Sequence, residues 1–142
     1  TAIAPRRSLN VPEGDGTMIG KADATPMIAV KDLDRARKFY EGTLGLKTEQ
    51  EWGEGVTMKS GDTTVNVYKS EFAGTNKATA LNFDVDDIES EVRELKDKGV
   101  FFEKYDLPGL EQRGDLYVGD GGFRTAWFKD PDGNILSLIQ EA

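Results

Sequence analysis

The stretch "WFKDPDGNILSLIQ", residues 127–140, decides the fold. Its centre is a turn. Pro131 presets one backbone dihedral and Gly133 accepts a positive φ. The apolar runs "RTAWF" (124–128) and "NILSLIQ" (134–140) on either side then read as two strands of one hairpin. Ser137 is the anomaly, a hydroxyl in the middle of an otherwise apolar strand.

Upstream, "TALNFDV" (79–85) alternates, with Leu81, Phe83 and Val85 on one side and Ala80, Asn82 and Asp84 on the other. "DDIESEVRELKDKG" (86–99) reads as an amphipathic helix. Asp86 is its expected N-cap with Glu89 as capping-box partner. Ile88, Val92 and Leu95 make the buried stripe, Glu89–Arg93 and Glu94–Lys98 are i,i+4 pairs, and Gly99 supplies the left-handed end. "VFFEKYDL" (100–107) and "DLYVG" (115–119) read as further strands. "GDGG" (119–122) lacks the spacing and the lysine of a phosphate loop and reads as a flexible loop.

The same order occurs earlier. "MIAV" (27–30) is a strand, and "KDLDRARKFYEGTLGL" (31–46) is a helix capped by Asp32, with Leu33, Ala36, Phe39 and Tyr40 on one face. "KTEQEW", "VTMKS" and "TTVNVYK" follow as strands, the last two joined by Gly61–Asp62. The expected fold class is therefore α+β: two tandem βαβββ modules, 26–69 and 79–140, within a domain spanning 25–142. Each copy is too small to bury a sheet face alone, and two can enclose a shared concavity. Residues 1–24 are rich in Gly, Pro and Ala without a sustained period and read as an N-terminal arm.

The chain has 142 residues, a net charge of −8, no cysteine and no histidine. A disulfide framework, a thiolate nucleophile and a zinc–sulfur site are excluded. Without histidine, acid–base chemistry falls to Asp, Glu, Lys, Tyr or a hydroxyl, and a metal site would have to be all oxygen. The acidic balance disfavours nucleic acid and anionic membranes as partners. No apolar run is long enough to span a bilayer, and the N-terminal stretch lacks the apolar segment of a signal peptide, so the expected location is cytoplasmic.

Two βαβββ copies resemble the vicinal oxygen chelate superfamily of glyoxalase I, extradiol dioxygenases and the fosfomycin- and bleomycin-resistance proteins. The resemblance rests on "AVKDLDRARKFYEGTLGL" (29–46), "FDVDDIESEVRELKDKGV" (83–100) and "WFKDPDGNILSLIQ" (127–140) and covers about residues 25–140. It implies a curved-sheet cup with the helices outside. It also implies metal ligands at four inward positions, which in this sequence are Thr25, Asn66, Ala80 and Ser137. Ser137 stands where the metal enzymes of that family carry a carboxylate. None of the four residues is charged, and Ala80 offers no donor at all, so no metal and no other cofactor is expected.

The expected ligand-binding set is Thr25, Met27, Asn66, Ala80, Asn82 and Ser137, with Trp52, Tyr105 and Tyr117 as aromatic wall. Phe72, Phe102, Phe123 and Trp127 are further aromatic candidates. The leading expectation is a metal-independent binder of a small aromatic or amphipathic molecule, like the bleomycin-resistance branch. The alternative is a lyase, isomerase or dioxygenase-type enzyme of the same superfamily. It would use Asp84, Glu103 or Tyr105 as a proton-transfer group, a carboxylate in an apolar cup having a raised pKa. Exposed edge strands are pairing templates, and this leads to the expectation of a homodimer.

Overall fold

A computed structural model describes residues 18–142. Most of the expected arm, residues 1–17, lies outside the described residues. Strand β1 (Met27–Val30) leads into helix α1 (Leu33–Arg37), whose Asp32 carboxylate caps the amide of Arg35. The helix continues as a wider π-helical turn, Lys38–Thr43, and ends at Gly45 with φ 81°. Strands β2 (Lys47–Trp52), β3 (Gly55–Ser60) and β4 (Thr63–Lys69) complete the first module. The second has β5 (Thr79–Asp84), α2 (Ile88–Asp97), β6 (Glu111–Arg113), β7 (Leu116–Val118), β8 (Arg124–Lys129) and β9 (Ile135–Gln140).

The two sheets have one topology. The first runs β1-β4-β3-β2 and the second β5-β9-β8-β7-β6. In each, the first strand pairs parallel to the last and the other pairings are antiparallel. The duplicated order expected from the sequence is thus present, with β6 as an extra edge strand on the second copy.

One hydrophobic core serves both modules. Ile28, Val30, Val65, Val67, Val56 and Met58 line the first sheet, while Ala126, Phe128, Leu136 and Leu138 line the second. α2 contributes Ile88, Val92 and Leu95, the stripe expected at helical spacing. Phe39 from the first module approaches Phe128 from the second at 6.4 Å between ring centres.

The 130–134 turn fastens the modules together. The buried Asp130 carboxylate accepts from the Tyr40 hydroxyl at 2.7 Å and from the amides of Asp132 and Asn134, each at 2.9 Å. Asn134 donates its side-chain amide to Asp130 and to the Ala29 carbonyl, both at 2.8 Å. Asp132 accepts from Arg35 at 2.7 Å and from the Lys31 amide at 3.2 Å. Burial, and then the negative charge of Asp130, push the Tyr40 hydroxyl far above the usual tyrosine range, so it stays a donor. The sequence marked this segment only as a hairpin turn.

Three local expectations are corrected. The N-cap of α2 is Asp87, whose carboxylate accepts from Ser90, and not Asp86. Glu89 bonds Arg124 at 3.3 Å and not Arg93, whereas the Glu94–Lys98 pair is present at 3.6 Å. Residues 100–107 are not a strand. They make a single bridge, Phe102 to Phe128, and Phe102 is core with 2% exposure. Phe102 plugs the core, whereas its neighbour Phe101 is 73% exposed.

Replacing Tyr40 with Phe leaves the ring in the core but removes the donor to a buried carboxylate. The expected cost is about 1–3 kcal/mol, seen in thermal melting as a fall of about 3–10 °C.

Candidate functional site

The side of each sheet away from the core carries the polar and aromatic positions. In the first module, strand register places Met27 opposite Asn66, Asn66 opposite Thr57, and Thr57 opposite Gln50. A polar chain crosses this face. The Trp52 indole N–H donates to the Thr57 hydroxyl at 3.1 Å, and that hydroxyl donates to Asn66 Oδ1 at 2.6 Å. Asn66 Nδ2 donates to the Met27 thioether at 3.3 Å, a weak acceptor. Gly55 lies opposite Trp52, and a Cβ there would stand 2.5 Å from the indole ring, so only glycine leaves room for the indole to lie flat. Thr25 lies just before β1 and is half-buried. Its neighbour Pro26 accepts from the Asn66 amide at 2.9 Å.

In the second module Ser137 occupies the register position that Asn66 holds in the first. It stands opposite Asn82 on β5 and Trp127 on β8. Its hydroxyl donates to Asn82 Oδ1 at 2.8 Å, and Asn82 Nδ2 donates to Asp84 at 3.2 Å. Beside them is an aromatic group. Trp127 meets Tyr105 and Tyr117 edge-on, at 5.7 and 5.3 Å between ring centres. The Tyr117 hydroxyl accepts from the Tyr105 amide at 2.6 Å and donates to its carbonyl at 3.0 Å. The Tyr105 hydroxyl is buried and without a hydrogen-bond partner among the described residues. Burial, followed by the charge of Glu103, raises its pKa and keeps it protonated.

The structure brings Met27 and Asn66 together in one module, with Trp52 joined to Asn66 through Thr57. Asn82, Ser137, Tyr105 and Tyr117 gather in the other around Trp127. Ala80 is a correction. A register shift between Thr79 and Leu81 breaks the alternation, and Ala80 packs against the hydrophobic core. Thr79 pairs with Ile135 instead, and its hydroxyl accepts from the Trp127 indole at 3.2 Å. No count along the sequence separates this β-bulge from a regular strand. The acid–base candidates are also placed differently from expectation. Asp84 is exposed, not buried. Glu103 forms an ion pair with Lys129 at 3.5 Å and lines a crevice of about 250 Å³ with Phe39 and Phe101. Of the other aromatic candidates, Phe72 is 69% exposed on a loop.

No cluster of three or more His, Cys, Asp or Glu among the described residues is arranged to hold a metal ion. The four family ligand positions do not fit a divalent cation either. Asn66 and Ser137 are neutral and engaged with neighbouring side chains, and Ala80, half-buried against the core, offers no donor atom.

Two modules with one strand order, sharing a core and keeping a polar face each, match a known family model. That model, Glyoxalase/Bleomycin resistance protein/Dioxygenase superfamily, covers residues 24–138. The chain belongs to this superfamily. Among solved structures it is similar to a glyoxalase family protein from Enterococcus faecalis, at 23% identity and TM-score 0.67, over 86% of this chain and 99% of that one. It is similar to a bleomycin resistance determinant encoded on the transposon Tn5, at 23% identity and TM-score 0.65, over 84% and 98%. It is similar to a lactoylglutathione lyase from Agrobacterium tumefaciens, at 16% identity and TM-score 0.65, over 84% and 93%. No curated protein sequence matches. At these identities the neighbours speak for the superfamily fold. No helix among the described residues is long and apolar enough to cross a membrane.

Substituting Gly55 with Ala should push the Trp52 indole off the sheet and break its bond to Thr57. In a Trp127→Phe background the remaining emission should shift to the red. The fold should survive, since a ring at a strand end can swing away at a cost of about 1–3 kcal/mol.

Proposed function

We propose that this superfamily member is a metal-independent binding protein for a small aromatic or amphipathic molecule, of the bleomycin-resistance type. Its ligand-binding residues are Thr25, Met27, Asn66, Asn82, Ser137, Trp52, Tyr105 and Tyr117, with Thr79 and Trp127 added. The carrying observation is that Asn66 and Ser137, at equivalent register positions of the two modules, hold neutral groups tied into side-chain hydrogen bonds. Such a floor suits an organic molecule, with Trp127 and Tyr105 offering aromatic surface and the buried Tyr117 packed edge-on against Trp127. Similarity to the Tn5 bleomycin resistance determinant supports the same reading.

In this proposal residues 25–142 form the binding domain and 1–24 an arm. The protein works in the cytoplasm as a homodimer and has no nucleic-acid or membrane partner, in keeping with its net charge of −8. β1 and β5 each lie at one end of their sheet with a free edge among the described residues, where a second copy could pair and complete a cup.

One observation favours a second reading. The buried Tyr105 hydroxyl, unpartnered among the described residues and held protonated, is a hydrogen-bond donor for an oxyanion formed in a metal-free lyase or isomerase. Tyr105→Phe separates the two readings, since it leaves binding in place and abolishes turnover only if the second holds.

The test of binding is a screen of small aromatic compounds by tryptophan quenching. Saturable binding of at least one compound is expected, unchanged by EDTA, with substoichiometric zinc, iron, nickel and manganese by elemental analysis. One equivalent of any of these metals, lost on changing Ser137 or Asn66, would overturn the proposal. Light scattering at micromolar concentration should give the mass of a dimer.

A further inference from the structure

The two module faces are polar in different ways. In the second, every hydroxyl and amide described above except that of Tyr105 has a side-chain or backbone partner. The first carries donors without adequate acceptors. Thr64 lies on the same face as Asn66, two residues away on β4, with Val65 and Val67 on the core side. Thr64 is 8% exposed and its hydroxyl has no hydrogen-bond partner among the described residues. Asn66 is 6% exposed, and its amide nitrogen reaches only a thioether.

Register adds two cations. Lys59 on β3 stands opposite Thr64 on one side and Lys47 on the other. Both lysines are exposed, and among the described residues neither side chain makes an ion pair or hydrogen bond. Like charges directly opposite across strands are destabilising. The neighbouring acids do not relieve the pair. Glu51 faces the helix side and binds Arg37 at 2.6 Å, and Glu49 sits at the register shift without an ion pair. Two unneutralised lysines beside a buried, unpartnered hydroxyl is a notable concentration of donors in a chain of net charge −8.

We propose that Lys47, Lys59, Thr64 and Asn66 form an oxyanion-recognition site at one end of the binding face. The ligand then carries a carboxylate, sulfonate or phosphate group, with its aromatic part extending toward Trp52. Charge-assisted hydrogen bonds from the lysines, and neutral ones from Thr64 and Asn66, hold the oxyanion. This inference rests on the small-molecule reading of the same face.

The experiment compares two probes with one ring system. 8-Anilinonaphthalene-1-sulfonate carries an oxyanion, and N-phenyl-1-naphthylamine lacks it. The parent protein should bind the sulfonate at least about tenfold more tightly, the size of one charge-assisted hydrogen bond. Lys47→Gln with Lys59→Gln should erase that preference and leave the neutral probe unaffected. Thr64→Val should weaken the sulfonate alone. Without probe, the double lysine variant should melt slightly higher at low salt, and the gain should vanish at high salt. Competition by inorganic phosphate against benzoate reports which oxyanion is preferred. Equal binding of both probes, or a sulfonate preference that survives the lysine changes, overturns the oxyanion site while the small-molecule reading stands. Binding of neither probe overturns the oxyanion site, and the small-molecule reading falls only if the wider aromatic screen also finds no saturable ligand.

Discussion

A single buried carboxylate holds this architecture together. Asp130 sits in the β8–β9 turn, yet the hydroxyl it receives comes from Tyr40 in the other module. An unpaired charge in that position would be costly. Here the carboxylate is surrounded by donors: a phenol, two turn amides and the Asn134 side chain. Asn134 and Asp132 then extend the fastening to Ala29, Lys31 and Arg35. Because the turn that closes one sheet also grips the start of the other module, the two sheets share one core and cannot shift independently. The positions of Asn66 and Ser137 relative to each other follow from that grip.

With the frame fixed, the polar faces of the two modules differ through a few substitutions at equivalent positions. The third-strand residue beside the central polar group is Thr57 in one module and Trp127 in the other. The first-strand residue is Met27 in one and Asn82 in the other. One face therefore offers hydrogen-bond donors and two cations, and the other offers rings. A duplicated scaffold gives chemically distinct halves without any change of topology.

Much of the fold was legible in the sequence because it is written in local periodicity. The α2 stripe of Ile88, Val92 and Leu95, the Asp32 cap and the Gly99 end of α2 are each decided within a turn or two of chain. What was not legible is long-range. The Tyr40–Asp130 bond spans 90 residues and the Asn134–Ala29 bond 105. The misread strand at 100–107 shows the limit of apolar runs: Phe102 is buried with a single bridge and no ladder, and Phe101 beside it is exposed. For the site, Met27, Asn66, Asn82 and Ser137 fell where alternation places them, and Ala80 did not, because one bulged residue inverts the parity on one side of it. Thr79, Thr64 and the Lys47–Lys59 pair carried no motif, and only strand register reveals them as neighbours.

The wide turn at Lys38–Thr43 has a consequence for how this lineage can change length. A π-helical turn is a helix that has absorbed one extra residue. Tyr40 lies inside it and points its hydroxyl at Asp130. Deleting one residue before Tyr40 would restore an ordinary α-helical ladder, but it would also swing the ring about 100° around the helix axis. The regular helix would form more easily by itself and would fit the molecule worse. Natural indels in such chains should therefore collect in the polar loop at 70–78 and avoid the first helix, even though part of that helix lies on the surface.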